Sequence, residues 1–303
     1  MIKPGVPAPG FVKRIGAIVD ERRCTEFRSL DSAELVNRLT DARMPFGWTV
    51  NPYRGCEFGC RYCYARPTHG YLGHANPEEF EQRIYVKRAD DGRLVARLRK
   101  ARESGEEVAI GTATDPYQPA EGRFGVTRSV LEAVRRVPGL RVGITTKSPA
   151  VTRDLELLRE IAASGELIVN VSIASTDAAL LRRIEPRAPR PDLRLAAMAE
   201  LTAAGVATRL FAMPVLPYLT DGEAELEALF HAAREAGARV KVNETAKLAV
   251  SWDEAAPDEN TAYYLAKLDD LYDKFRPLIE QDGLRPAGET EAPTEPSQAT
   301  LEF

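Results

Sequence analysis

Apolar and amphipathic segments alternate through most of this chain, which indicates strands and helices in turn. Runs of apolar and β-branched residues have the pattern of strands buried on both faces. Segments with apolar residues every three or four positions follow them, as in helices packed on a sheet. The strands are predicted over residues 48–52, 107–114, 141–147, 167–175, 207–217 and 239–245, and the helices over 92–104, 126–137, 152–164, 191–205, 221–237 and 260–281.

This order amounts to a strand–helix unit repeated about six times. Short connections and right-handed crossovers make the strands of such a chain parallel. The pattern therefore predicts an α/β fold, either a partial (β/α)6 barrel or an open, doubly wound sheet. In both architectures, functional residues gather at the carboxyl ends of the strands.

The two ends of the chain differ from this repeating part. We expect a helix over residues 31–43, N-capped by Asp31 or Ser32, within an otherwise irregular beginning. The end is rich in Pro, Glu and Thr and poor in aliphatic residues, which is typical of disorder. The predicted organisation is an N-terminal extension over 1–45, a core over 46–285 and a disordered acidic tail over 286–303.

Composition narrows the class of protein. The 303 residues are 44% hydrophobic and 28% charged, enough to bury a large core, and the net charge is −4. No global basic field attracts nucleic acid, although a local basic patch remains compatible with it. The chain has no apolar run of about 18 residues, so we expect no membrane span. No signal-type hydrophobic stretch begins it, and we expect a cytoplasmic protein.

Three of the four cysteines lie in one short segment, CEFGCRYCYARPTH, residues 56–69. They are Cys56, Cys60 and Cys63 in the spacing Cx3Cx2C, and the glycines at 55 and 59 permit tight turns between them. The fourth, Cys24, is distant in sequence. Four cysteines in a cytoplasmic chain favour a metal or redox site over disulfides.

The spacing leaves two kinds of metal site open. Thiolates select soft or borderline metals, chiefly zinc, copper(I) and iron–sulfur clusters. A structural zinc takes four ligands, and His69 or His74 could supply the fourth. A [4Fe–4S] cluster held by three cysteines would keep one iron open to a substrate or cofactor.

A resemblance decides between these alternatives. The Cx3Cx2C spacing follows a buried strand, opens a βα repeat and has an aromatic residue between the last two cysteines. This combination resembles the pattern of the radical S-adenosylmethionine (SAM) superfamily. The resemblance implies a partial (β/α)6 barrel of the radical SAM type, with a [4Fe–4S] cluster and SAM as cofactors. In that family the open iron binds the amino and carboxylate groups of SAM. Reductive cleavage then yields a 5′-deoxyadenosyl radical, which abstracts hydrogen from the substrate.

Other segments resemble one branch of that superfamily. The stretches GTATDPYQPAE (111–121), TTKSPAVTRDLELL (145–158) and IEPRAPRPDLRLAAMAELTAAGV (184–206) are similar to the spore photoproduct lyase-like branch, and within it to a bacterial group. Such enzymes take electrons from a flavodoxin- or ferredoxin-type donor. The resemblance thus implies a lyase-like enzyme with an electron-donor partner and, as an alternative, a nucleic acid as substrate.

The resemblance also implies roles for individual residues. Cys56, Cys60 and Cys63 match the cluster ligands, and Tyr64 matches a tyrosine of the lyase's radical relay. The expected SAM contacts are Tyr62 beside the adenine, Thr114 and Asp115 at the amino group, Lys147 at the carboxylate, Ser172, the backbone of Ala212 and Met213 at the adenine, and Glu185 and Arg187 on the ribose or substrate side.

One departure limits how far the resemblance extends. Spore photoproduct lyase returns a hydrogen atom from a cysteine at the end of its second strand, whereas this chain has GTATDP there. Thymine-dimer repair is therefore disfavoured. Two alternatives to an enzyme of unassigned substrate stay open: a nucleic-acid repair or modification enzyme, and a non-catalytic zinc or redox-sensing module.

Overall fold

The computed structural model describes residues 15–22, 25–31, 35–40, 44–74, 76, 78–88, 90–216 and 219–241. Cys24, the predicted helix over 260–281 and the predicted tail over 286–303 lie outside the described residues. The described strands are β1 (Ile15–Arg22), β2 (Thr25–Asp31), β3 (Val36–Arg38), β4 (Trp48–Val50), β5 (Tyr53–Arg54), β6 (Arg83–Arg88), β7 (Val108–Ile110), β8 (Arg141–Thr146), β9 (Glu166–Ser172), β10 (Ala207–Phe211) and β11 (Arg239–Lys241).

Helices follow most of the strands. The described α-helices are α1 (Glu79–Gln82), α2 (Asp91–Ser104), α3 (Glu121–Phe124), α4 (Val126–Arg135), α5 (Leu155–Ser164), α6 (Ala178–Ile184), α7 (Pro191–Ala203) and α8 (Glu223–Glu235), and two 3-10 segments span Arg66–Leu72 and Pro149–Asp154. No helix in the described part of the chain combines the length and the apolar character needed to span a bilayer.

The larger sheet has seven strands in the order β11-β10-β9-β8-β7-β4-β3. The six strands from β4 to β11 in this order pair in parallel, and β3 joins the edge antiparallel. The prediction of an α/β fold with a parallel sheet is confirmed, while the helix predicted for the sixth strand–helix unit lies outside the described residues. Within the described residues the sheet keeps two edges, at β11 and β3, and does not close on itself.

The core lies between this sheet and the helices that follow its strands. Side chains at the middle of the central strands, such as Ile110, Ile144 and Leu210, are completely buried. They pack with the buried face of the helices, for example Val130 and Leu131 of α4. Burying one such side chain contributes about 1.5–3 kcal/mol, so the sheet is a rigid base for the loops at its carboxyl edge.

Helix ends follow the capping signals in the sequence. Asp90 caps α2 by accepting a hydrogen bond from the amide of Arg93 at 2.8 Å, and Gly105 ends the helix with a φ of +70°. α7 begins with Pro191 at its first turn, where a missing N–H costs nothing. Gly205, two residues past that helix, has a φ of +83°, as expected for a glycine after a helix end.

A second, smaller sheet carries the segment that leads into the cysteine loop. Its order is β1-β2-β6-β5, with β2 parallel to β6 and β5 antiparallel to β6. The predicted helix over residues 31–43 is wrong, because Asp31 ends β2 and Val36 opens β3. Val36 pairs with Val50 of β4 and is completely buried, so strand pairing at the sheet edge outweighs the local helical pattern.

Candidate active site

The cysteine loop begins immediately after β5, at Gly55. This glycine has a φ of +84°, and a Cβ there would lie 2.6 Å from the carbonyl oxygen of Phe80 and 2.8 Å from that of Arg83. The next amide, that of Cys56, donates to the same Phe80 oxygen at 3.0 Å. Only glycine fits this turn, because the backbone conformation and the close approach of the Phe80 and Arg83 carbonyls both exclude a side chain.

The three cysteines of the loop share one apolar pocket. Cys56 and Cys60 are buried and Cys63 is half-buried, and all three are free thiols. The amide of Cys63 donates to the carbonyl of Cys60 at 3.2 Å, which folds the loop into a turn. The other members of this pocket are Phe58, Tyr62, Ala65, Phe80, Ala113 and Ala188.

This donor set fits an iron–sulfur cluster with an open position. Three soft thiol ligands come from one loop, and none is used in a disulfide. In the described residues, no group of three or more His, Cys, Asp or Glu side chains is already arranged to hold a metal ion. The residues at hand can provide three ligands of the kind that such a cluster needs.

The pKa values of all three thiols are raised in their present surroundings. Burial and the neighbouring Asp115 raise the pKa of Cys56 well above its usual value. Burial and the Glu185 carboxylate raise the pKa of Cys60 to about 12. Burial also raises the pKa of Cys63. Because metals bind thiolates, loading this loop should release protons.

The two histidines near the loop are largely occupied elsewhere. Nε2 of His69 lies 2.9 Å from the carbonyl oxygen of Arg83. In His74, Nε2 lies 2.5 Å from the hydroxyl of Tyr85 and Nδ1 lies 3.0 Å from a carboxylate oxygen of Glu79. Nδ1 of His69 is buried without a hydrogen-bond partner. Of the four ring nitrogens of these two histidines, Nδ1 of His69 is thus the one left for a fourth zinc ligand.

The segment after β7 clamps the start of the cysteine loop. The fully buried amide of Gln118 accepts from the backbone N–H of Glu57 at 2.9 Å and donates to the carbonyl of Gly55 at 3.2 Å. The hydroxyl of Thr114 donates to that Gly55 carbonyl at 2.6 Å. In return, the Glu57 carboxylate accepts from the amide of Ala120 at 2.6 Å. Both neighbours of Cys56 are thereby anchored.

The hydrogen bonds between the segment after β7 and the cysteine loop change the role that we assign to Thr114. The sequence predicts a contact of this residue with the SAM amino group, whereas its hydroxyl already bonds to the cysteine loop and accepts from Gln118 at 2.9 Å. Sequence reasoning missed Gln118 and Glu57. The only signal was the polar DPYQPAE stretch after a buried strand, which the sequence alone does not distinguish from a rigid turn.

Asp115 joins the carboxyl ends of β7 and β8. One carboxylate oxygen accepts from the hydroxyl of Thr146 at 2.7 Å and from the amide of Tyr117 at 2.9 Å. The other accepts from the amide of Lys147 at 2.7 Å. Burial nevertheless raises the pKa of Asp115 above its usual value. The carboxylate fixes the backbone from which the side chain of Lys147 projects.

Four predicted site residues meet at the ends of β8 and β9, beside the cysteine loop. The ammonium nitrogen of Lys147 lies 2.5 Å from the hydroxyl of Ser172 and 3.5 Å from a carboxylate oxygen of Glu185. The hydroxyl of Tyr62 donates to the same carboxylate. The ammonium nitrogen also lies 5.7 Å from the centre of the Tyr62 ring, a cation–π arrangement.

A buried arginine that sequence reasoning missed completes this network. Arg194 of α7 is almost fully buried, and its guanidinium donates to Glu185, to the carbonyl of Ser172 at 2.9 Å and to the carbonyl of Pro189 at 2.8 Å. Burial alone would raise the pKa of Glu185, but Lys147 and Arg194 outweigh it and hold that pKa below its usual value. The sequence signal was an arginine on the buried face of an amphipathic helix.

The remaining predicted residues occupy the margins of the network. Met213 accepts from the hydroxyl of Ser172 at 3.1 Å through its carbonyl, and Ala212 is buried beside it. Tyr64 is 55% exposed, and its hydroxyl donates to the carbonyl of Thr112 at the end of β7. The side chain of Arg187 is exposed and stays outside the network, although its amide donates to the carbonyl of Phe58 at 3.3 Å.

A family profile described as the radical SAM superfamily matches residues 50–230, more than half of the chain. The chain belongs to the radical SAM superfamily. Among similar proteins, an uncharacterized protein of Mycobacterium tuberculosis is 38% identical over 236 residues, which cover 76% of this chain and 68% of the relative. An uncharacterized protein of Methanocaldococcus jannaschii is 27% identical over 176 residues, 58% of this chain and 63% of the relative.

Solved structures show the same fold. A spore photoproduct lyase variant with bound AdoMet and dinucleoside spore photoproduct superposes with a TM-score of 0.54 at 17% identity, over 74% of this chain and 65% of that one. SuiB of Streptococcus suis, bound to its precursor peptide, superposes with a TM-score of 0.52 at 17% identity, over 78% of this chain and 46% of that one. The chain thus spans less than two thirds of either structure. At these identities the likeness concerns the fold, and with the family profile it identifies an enzyme of the radical SAM class.

Proposed function

We propose that this enzyme binds a [4Fe–4S] cluster through Cys56, Cys60 and Cys63 and reductively cleaves SAM, acting in the cytoplasm on a substrate from which it abstracts hydrogen. The observation that carries the proposal is the position of the three free thiols. They share one pocket with Tyr62, whose hydroxyl joins the Lys147–Ser172–Glu185 network at the carboxyl edge of the sheet. When bound, the cluster and SAM together supply the 5′-deoxyadenosyl radical.

The chain's own residues would hold and orient SAM. The Lys147 ammonium supplies a positive charge for the carboxylate of SAM, and Glu185 and Ser172 keep that ammonium in place. The Tyr62 ring offers an apolar face to the adenine, and the backbone of Ala212 and Met213 continues that side of the pocket. We assign Arg187 no role in SAM binding, because its side chain is exposed.

We assign Thr114 and Asp115 mainly to positioning. Their polar side-chain atoms are already used: the Thr114 hydroxyl on the cysteine loop, and the Asp115 carboxylate on Thr146, Tyr117 and the amide of Lys147. Through these bonds the two residues set the distance between the cysteine loop and the base of Lys147. Preorganisation of this kind keeps reacting groups in register without a cost at the moment of reaction.

A nucleic-acid repair or modification enzyme is the second candidate. The observation that favours it is Tyr64, an exposed aromatic residue bound to the end of β7 and next to Cys63. A spore photoproduct lyase with a bound dinucleoside shares this fold. Against dimer repair, the segment GTATDP after the buried strand (residues 111–116) has no cysteine, whereas that lyase returns the hydrogen atom from a cysteine at the end of its second strand. A salt-dependent affinity for single-stranded or duplex DNA would support this candidate.

Anaerobic reconstitution with iron and sulfide tests the cofactor assignment. We expect about four irons per chain and a brown protein, as for a cubane cluster. Cys60→Ala should lose the cluster and the ability to cleave SAM, because two thiols cannot hold it. A colourless wild-type protein that retains about one zinc would instead support the zinc or redox module.

A further inference from the structure

Four exposed arginines lie along the outer side of the cysteine loop and form what we call the arginine rim. The rim consists of Arg61 in the loop, Arg182 and Arg183 at the end of α6, and Arg187 in the turn that follows. Their side chains reach solvent, whereas Glu185, in the middle of the same stretch, points into the SAM-side network.

Backbone contacts hold the two parts of the rim together. The amide of Arg61 donates to the carbonyl of Ile184 at 2.9 Å, and the amide of Arg187 donates to the carbonyl of Phe58 at 3.3 Å. Ala188 packs in the apolar pocket of the cysteines. The rim is therefore adjacent to the thiol pocket, and Arg61 directly follows Cys60 in the chain.

Few nearby carboxylates balance the positive charge of the arginine rim. In residues 55–65 and 177–189, Glu57 and Glu185 are buried, and exposed Asp177 caps the opposite end of α6 through the amides of Ala179 and Leu180. Glu81, which approaches the loop at Gly59, forms an ion pair with Arg66. Among the described residues, Arg61, Arg183 and Arg187 make no ion pair, and Arg182 bonds only to the carbonyl of Pro186 at 3.2 Å. The whole chain carries a net charge of −4, so this positive patch contrasts with the molecule that bears it.

We propose that the arginine rim is the docking surface for a small acidic one-electron carrier protein of the flavodoxin type. The inference rests on the proposed function, which requires one electron to reach the buried thiol loop. In the transfer, the reduced flavin of the carrier loses one electron and the cluster held by the loop gains it. No bond forms or breaks at the rim.

The size and chemistry of the patch favour such a carrier. Electron-transfer encounters bury little surface and depend on charge complementarity, which accelerates association. A binding groove for single-stranded nucleic acid combines positive charge with stacked aromatic residues. The rim itself has no aromatic residue, and the exposed Tyr64 is bonded to Thr112 at the end of β7. The test must therefore distinguish docking of such a carrier from binding of a nucleic acid at the rim.

The test reverses two charges of the rim and two matched charges elsewhere. Arg182→Glu/Arg183→Glu changes adjacent exposed residues near the end of α6, outside the SAM-binding network. Arg99→Glu/Lys100→Glu makes the same charge change at adjacent exposed positions of α2. The probe is a purified bacterial flavodoxin, kept reduced by its NADPH-dependent reductase. The readouts are the Kd of flavodoxin for the cluster-loaded protein at low and high salt, the Kd of single-stranded DNA for the same protein, and SAM cleavage driven either by flavodoxin or by dithionite.

We expect the rim variant to weaken flavodoxin binding about tenfold or more at low salt, with a smaller difference at high salt. Flavodoxin-driven SAM cleavage should fall in parallel, dithionite-driven cleavage should be unchanged, and the α2 variant should match the wild type.

Equal flavodoxin affinity in all three proteins would refute the proposed docking surface. A loss of single-stranded DNA binding by the rim variant, with flavodoxin affinity intact, would overturn it in favour of a nucleic acid. Absence of dithionite-driven cleavage in the wild type would refute the proposed function itself.

Discussion

Glu185 is the residue at which the polar contacts of the site converge. Its buried carboxylate receives Tyr62 and Arg194 as hydrogen-bond donors and lies 3.5 Å from the ammonium of Lys147. Two cations thus share the Glu185 carboxylate, and the contribution of each cation can be tested separately.

Lys147→Met should keep the cluster and weaken SAM binding. The substitution keeps most of the side-chain volume but removes the charge that faces the SAM carboxylate, a contact worth about 1.5–3 kcal/mol, or about ten- to a hundredfold in Kd. Equilibrium binding of SAM to the reconstituted protein measures it. Lys100→Met, at an exposed position of α2, is the control. Unchanged SAM affinity in Lys147→Met would contradict the assignment.

Arg194→Met should destabilise the whole protein. It removes a buried partner of Glu185 and leaves the Ser172 and Pro189 carbonyls without a donor, and breaking a buried ion pair costs about 3–5 kcal/mol. Urea unfolding of the anaerobic protein measures the loss. Adding Glu185→Gln should recover part of it, because the remaining buried charge is then neutralised. Arg190→Met, which alters the exposed pair with Asp192, should unfold like the wild type.

The element that decides the function is the loop between β5 and α1, and its shape depends on contacts from three other segments. Phe80 and Arg83 close over Gly55, Gln118 bonds to both neighbours of Cys56, and Ile184 accepts from the amide of Arg61. The loop thus inherits its geometry from strand β6, from the end of β7 and from α6. Disturbing one of these contacts should therefore affect cluster binding.

Gly55→Ala should reduce the iron bound by the loop. Its Cβ would lie 2.6 Å from the Phe80 carbonyl, and the residue would have to keep a φ of +84°. Gly105→Ala is matched in conformation, since Gly105 has a φ of +70° and open space within 4 Å of the added Cβ, so it should pay only the left-handed strain of about 1–2 kcal/mol. Iron per chain and Tm compare the two variants. Equal iron content would mean that the close approach at Gly55 is unimportant.

Local patterns predicted the longer elements of the larger sheet well, because each contains several periods of its own pattern. The helix predicted over 191–205 is observed at Pro191–Ala203, and the strand predicted over 141–147 is observed at Arg141–Thr146. The smaller sheet could not be found in this way. β5 has two residues, and β2 pairs with β6 across more than 50 residues of chain, so its strands depend on non-local contacts that no short pattern contains.

In the site too, local signals pointed to some residues, whereas others depend on contacts between distant parts of the chain. Thiol spacing and family resemblance pointed to the cysteines and to Tyr62, Lys147, Ser172 and Glu185. The structure brings the last four into one network, and their contact with SAM stays a prediction. Arg194 and Gln118 could not be assigned from sequence. Their bonds to Glu185, Ser172, Gly55 and Glu57 span nine or more residues of chain, and only the folded chain brings these partners within hydrogen-bond distance.

At the scale of the whole molecule, a parallel sheet carries the SAM-side network at its carboxyl edge, and a second sheet delivers the cysteine loop to that edge. The shared apolar pocket and the Tyr62–Glu185 contact join the two parts. This proximity explains why cofactor chemistry should require both the thiols of the cysteine loop and the polar network at the edge of the sheet. The thiols alone would make a metal-binding loop, and the network alone would make a binding pocket without a reaction.

Reductive cleavage of SAM tests this account most directly. The reconstituted, dithionite-reduced protein is incubated with SAM under anaerobic conditions, and 5′-deoxyadenosine is measured beside Cys60→Ala. We predict 5′-deoxyadenosine from the wild type and none above background from the variant. A wild-type protein that carries the cluster and leaves SAM intact, or a variant that cleaves SAM equally well, would contradict the central claim.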